Sequence, residues 1–331
     1  MTEAPEVRWP AEFEPHEATW LAWPHDERTW IAGLEEARQA VARMVWALSR
    51  GETVHLLVRP QDRSEAEAIL STRSVGDLVL HEKDHADAWL RDTGPTVVHR
   101  GDERAAIDWR FDAWGGKYED LERDDDLAAF VAEAHGLPRT RVEAVCEGGA
   151  IETDGQGTVL TTRECLIEGR GHASEAAVDA LFERVLGAEE VVWLEAGLPG
   201  DDTDGHIDTV ARFVDPDTLA LATADPGQPA HEPLAANREA LAARGDLDVV
   251  GLPQPDPVTV RGSPRPATYA NFAIGNEVVL LPVYDDPNDE VARQRLTAAF
   301  GDRRIVPIPA EPLVAGYGAC HCLTQQIPTP P

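Results

Sequence analysis

Apolar and polar positions alternate along this chain between two periods. Short β-type apolar runs give way to longer stretches with helical spacing, which argues for an α/β class. Residues 158–160 read as a short strand, 174–186 (SEAAVDALFERVL) as a helix stopped at Gly187, and 191–194 as the next strand. Just beyond lies a polar cluster, Asp204, His206 and Asp208. The order recurs near the C-terminus: strand 277–283, helix 289–300 after an Asn288 cap, Gly301, strand 304–307, then His321 and Cys322. A third copy runs from strand 53–58 through a helix at 64–70, Gly76 and strand 78–80 to Trp89, Arg91 and Asp92. A fourth passes through helix 126–134 and strand 142–145 to Glu147, Gly148 and Gly149.

Each unit ends in a short polar motif. Modules of roughly 60 residues, set about an axis and each presenting a loop to a common centre, account for that regularity. They make one domain over 1–331 the expectation for this 331-residue chain. An ordinary doubly wound sheet with its loops at one edge fits the same pattern.

Charge narrows the partners. Lys and Arg total 29 against 60 Asp and Glu, a formal net charge of -31. Such a field opposes nucleic acid and anionic lipid. Lys83 and Lys117 are the only lysines, so the remaining 27 basic residues (29 − 2) are arginines. A carboxylate-rich shell of this kind suits concentrated salt, where repulsion is screened. The Debye length falls from about 30 Å at 0.01 M to about 3 Å at 1 M. The melting temperature is therefore expected to rise from low to molar KCl, and a flat or falling series would remove the halophilic reading.

Four cysteines, at 146, 165, 320 and 322, are too few and too irregular for a disulfide framework. The N-terminus lacks a signal-peptide pattern, and no apolar run approaches about 20 residues. A soluble cytoplasmic protein is the expectation, with no membrane partner.

The polar motifs hold the candidate chemistry. Cys322 follows a turn bearing Gly316 and Gly318, where a thiol can be exposed at a loop end. In DGHID, His206 and Asp208 stand two apart, which in extended backbone places both on one face. Cysteine with a separate histidine and carboxylates is a set for nucleophilic catalysis. Asp92 in WLRDTGP stands three residues after Trp89, and Glu147 precedes two glycines that permit close backbone approach. Carboxylates gathered round one thiol repel an oxyanion but suit a planar cation. Each can accept paired N–H bonds from a guanidinium, so a small guanidino substrate is expected. A metal site drawn from Asp204, His206, Asp208, Cys320, His321 and Cys322 is the chemical rival, although the usual ligand spacings are absent. Neither a GxGxxG after a strand nor a Walker A motif supports a nucleotide cofactor.

Seven ordered motifs resemble the guanidino-modifying pentein superfamily, and within it the bacterial peptidyl-arginine deiminase family that contains the agmatine deiminases. They are EPHEATWLAWP, WLRDTGPTVV, EGGAIETDGQGTVLTT, DGHIDTVARFV, RPATYANFAI, VYDDPNDEVA and HCLTQQIP, spread over nearly the whole chain. The resemblance implies a fivefold pseudosymmetric α/β propeller with its site at the axis and no metal or organic cofactor. It implies Cys322 as nucleophile, His206 as general acid and base, and Glu147 orienting His206. Asp92 and Asp208 would hold the guanidinium, with Trp89 as a pocket wall. The implied reaction is hydrolytic deimination through an amidino-thioether on Cys322. Arginine substrates, amidino transfer to an amine, or guanidine binding without catalysis are the alternatives, and a homo-oligomer is possible. Before the nucleophile, relatives commonly read Gly-Asn-Ile-His-Cys where this chain has Gly318, Ala319, Cys320, His321 and Cys322, and Thr209 replaces a residue that is often acidic or an amide.

Overall fold

A computed structural model describes residues 6–331, and its strands and helices form a mixed α/β domain. Five sheets share one construction. In each, a first strand pairs antiparallel with a central strand, and a helix then crosses over to a third strand parallel to the central one.

The sheet of Glu152–Thr153, Thr158–Thr162 and Glu190–Leu194 is typical, with Glu190 opposite Thr158 and Leu194 opposite Thr162. Its crossover helix is Glu175–Leu186. The Ser174 side chain accepts from the Ala177 amide at the start, and Gly187, at φ 73°, supplies the left-handed residue that ends it. Val178, Leu181, Phe182, Val185 and Leu186 fall on one face and are buried against the sheet. Each such side chain contributes about 1.5–3 kcal/mol by leaving water.

The other sheets repeat the plan. Thr96–Arg100, Glu103–Arg110 and Arg139–Val145 use helix Leu127–Ala134, with Val7–Arg8 added at the edge. Ala273–Ile274, Val278–Val283 and Arg304–Pro309 use helix Asn288–Phe300. Asn288 is the first helical residue rather than the cap, and its side-chain amide donates to the Gln254 carbonyl instead.

Two units differ from the sequence expectation. Ala211–Asp215, Thr218–Ala222 and Asp248–Leu252, with helix His231–Arg244, make a fifth unit not assigned above. The copy expected to begin at strand 53–58 is out of phase: its central strand is His16–Ala22, and its crossover helix is Leu34–Leu48. That helix buries Ala37, Ala40, Val41, Met44, Val45 and Leu48 among others. Thr53–Val58 is the third strand of the unit, and Arg63–Leu70 with Leu78–Glu82 extend it by a further parallel pair. The antiparallel strand of this unit is Gln325–Pro328, from the other end of the chain, so the segment after Cys322 is paired to the segment before Trp23. No helix among the described residues is long and apolar enough to cross a membrane.

Candidate active site

The polar motifs follow the carboxyl ends of the parallel strands, where α/β sheets commonly present ligand-binding loops. Glu147 comes two residues after Arg139–Val145, His206 and Asp208 follow Glu190–Leu194, and Cys322 follows Arg304–Pro309. Asp92 sits in the helical turn Leu90–Thr93, held to the nucleophile loop by the Arg91 amide donating to the Cys322 carbonyl at 3.2 Å.

Gly149 locates the convergence. A Cβ there would lie 2.5 Å from His206 Nδ1, 2.9 Å from Asp92 Oδ1 and 3.0 Å from Asp208 Oδ2. The backbone thus passes where no side chain fits, which lets three functional groups from two separate loops meet. Gly318 has the same effect elsewhere: a Cβ there would collide with Trp89 at 2.4 Å and approach the Cys322 Cβ at 3.0 Å.

The structure brings together all six residues singled out above. Cys322, His206, Asp208, Glu147, Asp92 and Trp89 are all buried. Cys322 Sγ lies 3.5 Å from Asp208 Oδ2 and 3.2 Å from Asn271 Nδ2. His206 lies between carboxylates, with Nδ1 3.8 Å from Asp92 Oδ1 and Nε2 3.6 Å from Glu147 Oε2. Both distances exceed a hydrogen bond, and neither ring nitrogen has a partner. Asp208 Oδ1 and Glu147 Oε2 are also buried without partners. Unpaired buried polar atoms cost about 1–3 kcal/mol each, so four at one point mark a site that a ligand or water completes.

A cavity of about 200 Å³ opens onto the thiol, lined by Trp89, Asp92, Trp114, Asp202, Tyr317 and Cys322 among others. Trp89 packs on Trp30 at 5.2 Å between ring centroids, which fixes its face as a wall.

Electrostatics follow from burial and proximity. Burial, with Asp208 and Asp92 alongside, raises the Cys322 thiol well above its ordinary value. Burial, Glu147 and Asp208 push Asp92 up to about 6, against the opposing pull of His206. Burial alone would lower His206, but Asp92, Cys165 and Glu147 hold it well above the usual imidazole value. These surroundings favour a thiol and an imidazolium, and a bound cation shifts the balance towards the thiolate.

Several supporting residues escaped sequence reasoning. Trp114 donates its indole N–H to Asp92 Oδ2 at 2.9 Å, and the Gly149 amide donates to Asp92 Oδ1 at 3.1 Å. Trp114 lies in a run of four left-handed residues: Ala113 (φ 56°), Trp114 (φ 58°), Gly115 (φ 78°) and Gly116 (φ 78°). The two non-glycines each cost on the order of 1–3 kcal/mol, which the turn sustains through Gly115 N–H donating to Asp112 Oδ1 at 2.7 Å. The signal was Asp112 followed by Gly115 and Gly116. Arg170, fully covered, donates to Glu147 Oε1 at 2.6 Å and to Asp204 Oδ2 at 2.8 Å. Asn271, within the RPATYANFAI motif, had no signal beyond its place there.

The rival metal set is not assembled. Asp204 is paired with Lys117 and Arg170, and Cys320 packs into the apolar core. Among the described residues, Glu147, Cys165 and His206 do place donor atoms within 4.8 Å of one another. The Arg170 guanidinium on Glu147 opposes a cation at that point. All four cysteines are free and buried.

Comparison with known proteins extends this geometry. The profile of the Porphyromonas-type peptidyl-arginine deiminases matches residues 8–328. A Pectobacterium atrosepticum protein provisionally named agmatine deiminase is 35% identical, the alignment covering 97% of this chain and 94% of that protein. Among solved structures, a cysteine-to-serine variant of C. jejuni agmatine deiminase with substrate bound superposes with a TM-score of 0.92 at 29% identity, covering 100% of this chain and 98% of the other. The agmatine deiminase of Enterococcus faecalis gives 0.91 at 32% identity, covering 99% of each chain. With the match running through all the motifs around Cys322, the chain belongs to the Porphyromonas-type peptidyl-arginine deiminase family.

Proposed function

We propose that this protein is a hydrolase that converts agmatine and water to N-carbamoylputrescine and ammonia, a step towards putrescine. The observation that carries the reading is a thiol lining a cavity together with Asp92, with Asp208 3.5 Å from the sulfur and one Asp208 oxygen buried without a partner.

In this reading the guanidinium lies between Asp92 and Asp208, each accepting N–H bonds, with its carbon about 3–3.5 Å from Cys322 Sγ. The cationic substrate favours the thiolate, which attacks. The Cys322 proton passes to solvent, the C–S bond forms and the guanidinium π pair moves to nitrogen. His206 then protonates one amino group, its C–N bond breaks with the pair leaving on ammonia, and a remaining nitrogen lone pair restores the C=N bond. The amidino-thioether is then attacked by water, deprotonated by the neutral imidazole. The C–S bond breaks, the thiolate returns and the urea is released. Glu147, anchored by Arg170, keeps a carboxylate beside His206 and supports its charged form.

Agmatine is favoured over arginine by the cavity mouth. Asp26, Asp87, Asp120 and Asp202 line the cavity with Arg28 and Arg265, Asp87 being buried within it. Arg28 is paired with Asp26 and Asp120, at 2.7 and 2.9 Å, and Arg265 donates to the Ala315 carbonyl while covering the Tyr317 ring. Among the described residues lining the cavity, both cations are engaged. The mouth suits a second ammonium better than an α-carboxylate. An ammonia-release assay with agmatine, arginine and an arginyl peptide side by side, without an amine acceptor, tests this. Agmatine is expected to give the largest kcat/KM by at least roughly a hundredfold. Preference for arginine or a peptide would overturn the substrate assignment, and release only with an added acceptor would indicate a transferase.

We also read the five like sheets as blades of a fivefold pseudosymmetric propeller, one catalytic domain over 1–331. Five loops meeting at one thiol support that arrangement.

A further inference from the structure

His321 stands immediately before the nucleophile and is buried, yet the mechanism above gives it no part. Its Nδ1 lies 2.7 Å from Asp208 Oδ2, and its Nε2 lies 2.9 Å from Glu12 Oε2. An ionised carboxylate only accepts hydrogen bonds, so two such contacts demand a proton on each ring nitrogen. Both acids are ionised in these surroundings. Burial opposes it, but Arg212, His321 and Arg91 hold Glu12 well below the usual carboxylate range, and His321, His206 and Arg212 hold Asp208 low.

The charges around the ring agree. Glu12 also accepts from Arg91 at 2.8 Å and pairs with Arg212 at 2.9 Å, while Arg212 donates to Glu152 at 2.8 Å. Three carboxylates thus face two guanidiniums, and a second proton on His321 brings the buried group to neutrality. An unbalanced buried charge is the costly alternative.

We propose that His321 is a positioning residue for the reaction read above: a doubly protonated imidazolium bridging Glu12 and Asp208, which occupies one Asp208 oxygen, leaves the other for the guanidinium and offsets the Asp208 charge beside Cys322. Asp208 Oδ2, the oxygen that bonds His321, is the one 3.5 Å from Cys322 Sγ. Asp208 Oδ1 is the one left buried without a partner. Without the imidazolium, an ionised carboxylate would face the sulfur uncompensated and the thiolate would be harder to form.

Two measurements test this, a deuteron count and an alkylation rate, and neither of those two readouts requires that the substrate be known. Neutron diffraction of the wild-type enzyme is expected to place a deuteron on both His321 nitrogens; a single deuteron overturns the proposal. In His321→Asn, the amide can still donate to Asp208 but carries no charge. Alkylation of Cys322 by uncharged iodoacetamide at pH 7 is expected to slow by roughly tenfold or more, with kcat falling more than KM. Alkylation at the wild-type rate in the folded variant would equally overturn it. Should that variant not fold, the deuteron count decides alone. If wild-type protein releases no ammonia from any guanidine tested while both His321 results hold, the deiminase reading fails and the role of His321 stands. Turnover of agmatine with a singly protonated His321 gives the reverse.

Discussion

Cys322→Ser is expected to abolish ammonia release from agmatine, with kcat falling by on the order of 10⁴-fold or more. A serine hydroxyl needs a dedicated base to attack, and no base is free for one here. His206 lies between Asp92 and Glu147 and is held in its charged form. Cys322 depends instead on the cationic substrate to stabilise its thiolate, which an alcohol of far higher pKa cannot follow. Mass spectrometry of wild-type enzyme quenched during turnover is expected to find an amidino adduct on Cys322, absent from the serine variant. Cys320 provides the internal control. It is buried in the apolar core, where burial raises its thiol above the ordinary range, and it touches no charged partner. Cys320→Ile keeps the position apolar and should retain activity. An adduct on Cys320, or full activity of Cys322→Ser, would remove the nucleophile assignment.

Legibility in the sequence depended on how local each constraint was. Helix Glu175–Leu186 was readable because its cap, apolar face and Gly187 stop lie within 14 residues of chain, 174–187. The unit built on His16–Ala22 was misphased because its antiparallel partner, Gln325–Pro328, lies at the far end of the chain and sends no local signal. The same distinction divides the site. His206 and Asp208 announce themselves two residues apart, and Cys322, Asp92, Glu147 and Trp89 stand in short motifs that matching detects. Arg170, Trp114 and Asn271 act only through tertiary contacts: a guanidinium reaching Glu147, a left-handed turn aiming an indole at Asp92, an amide meeting the thiol. Among so many charged residues, nothing in the sequence distinguishes Arg170 from the arginines that are merely exposed. The role of His321 is hidden for a further reason, since its partner Glu12 lies 309 positions away.

Asp92→Asn is the second large effect expected, a fall in kcat/KM for agmatine of at least roughly a hundredfold with the fold retained. The carboxylate is asked to accept N–H bonds from a cation, an interaction that persists into the transition state, and an amide offers one acceptor without charge. Trp114 and Gly149 each donate to one of the two carboxylate oxygens, so the amide keeps only one of those bonds and loses the charge as well. A pH signature accompanies it. Burial first, then Glu147 and Asp208, raise Asp92 to about 6, above its ordinary 3.8. The protonated form is useless to a guanidinium, so in the free enzyme kcat/KM should be retained above this value and fall as pH drops through about 6. Asp87, which lines the same cavity and is pushed up to about 7 by burial, is the other carboxyl able to shape that limb. In Asp87→Asn the limb near 6 should therefore persist, whereas in Asp92→Asn it should vanish with the activity. The measurement is kcat/KM from pH 4.5 to 9 for the three proteins, with melting curves at each pH to confirm that they remain folded. Near-normal kcat/KM in folded Asp92→Asn would show that Asp92 does not hold the substrate. The clamp would then rest on Asp208 alone, whose Oδ2 lies beside the thiol and whose Oδ1 is buried without a partner.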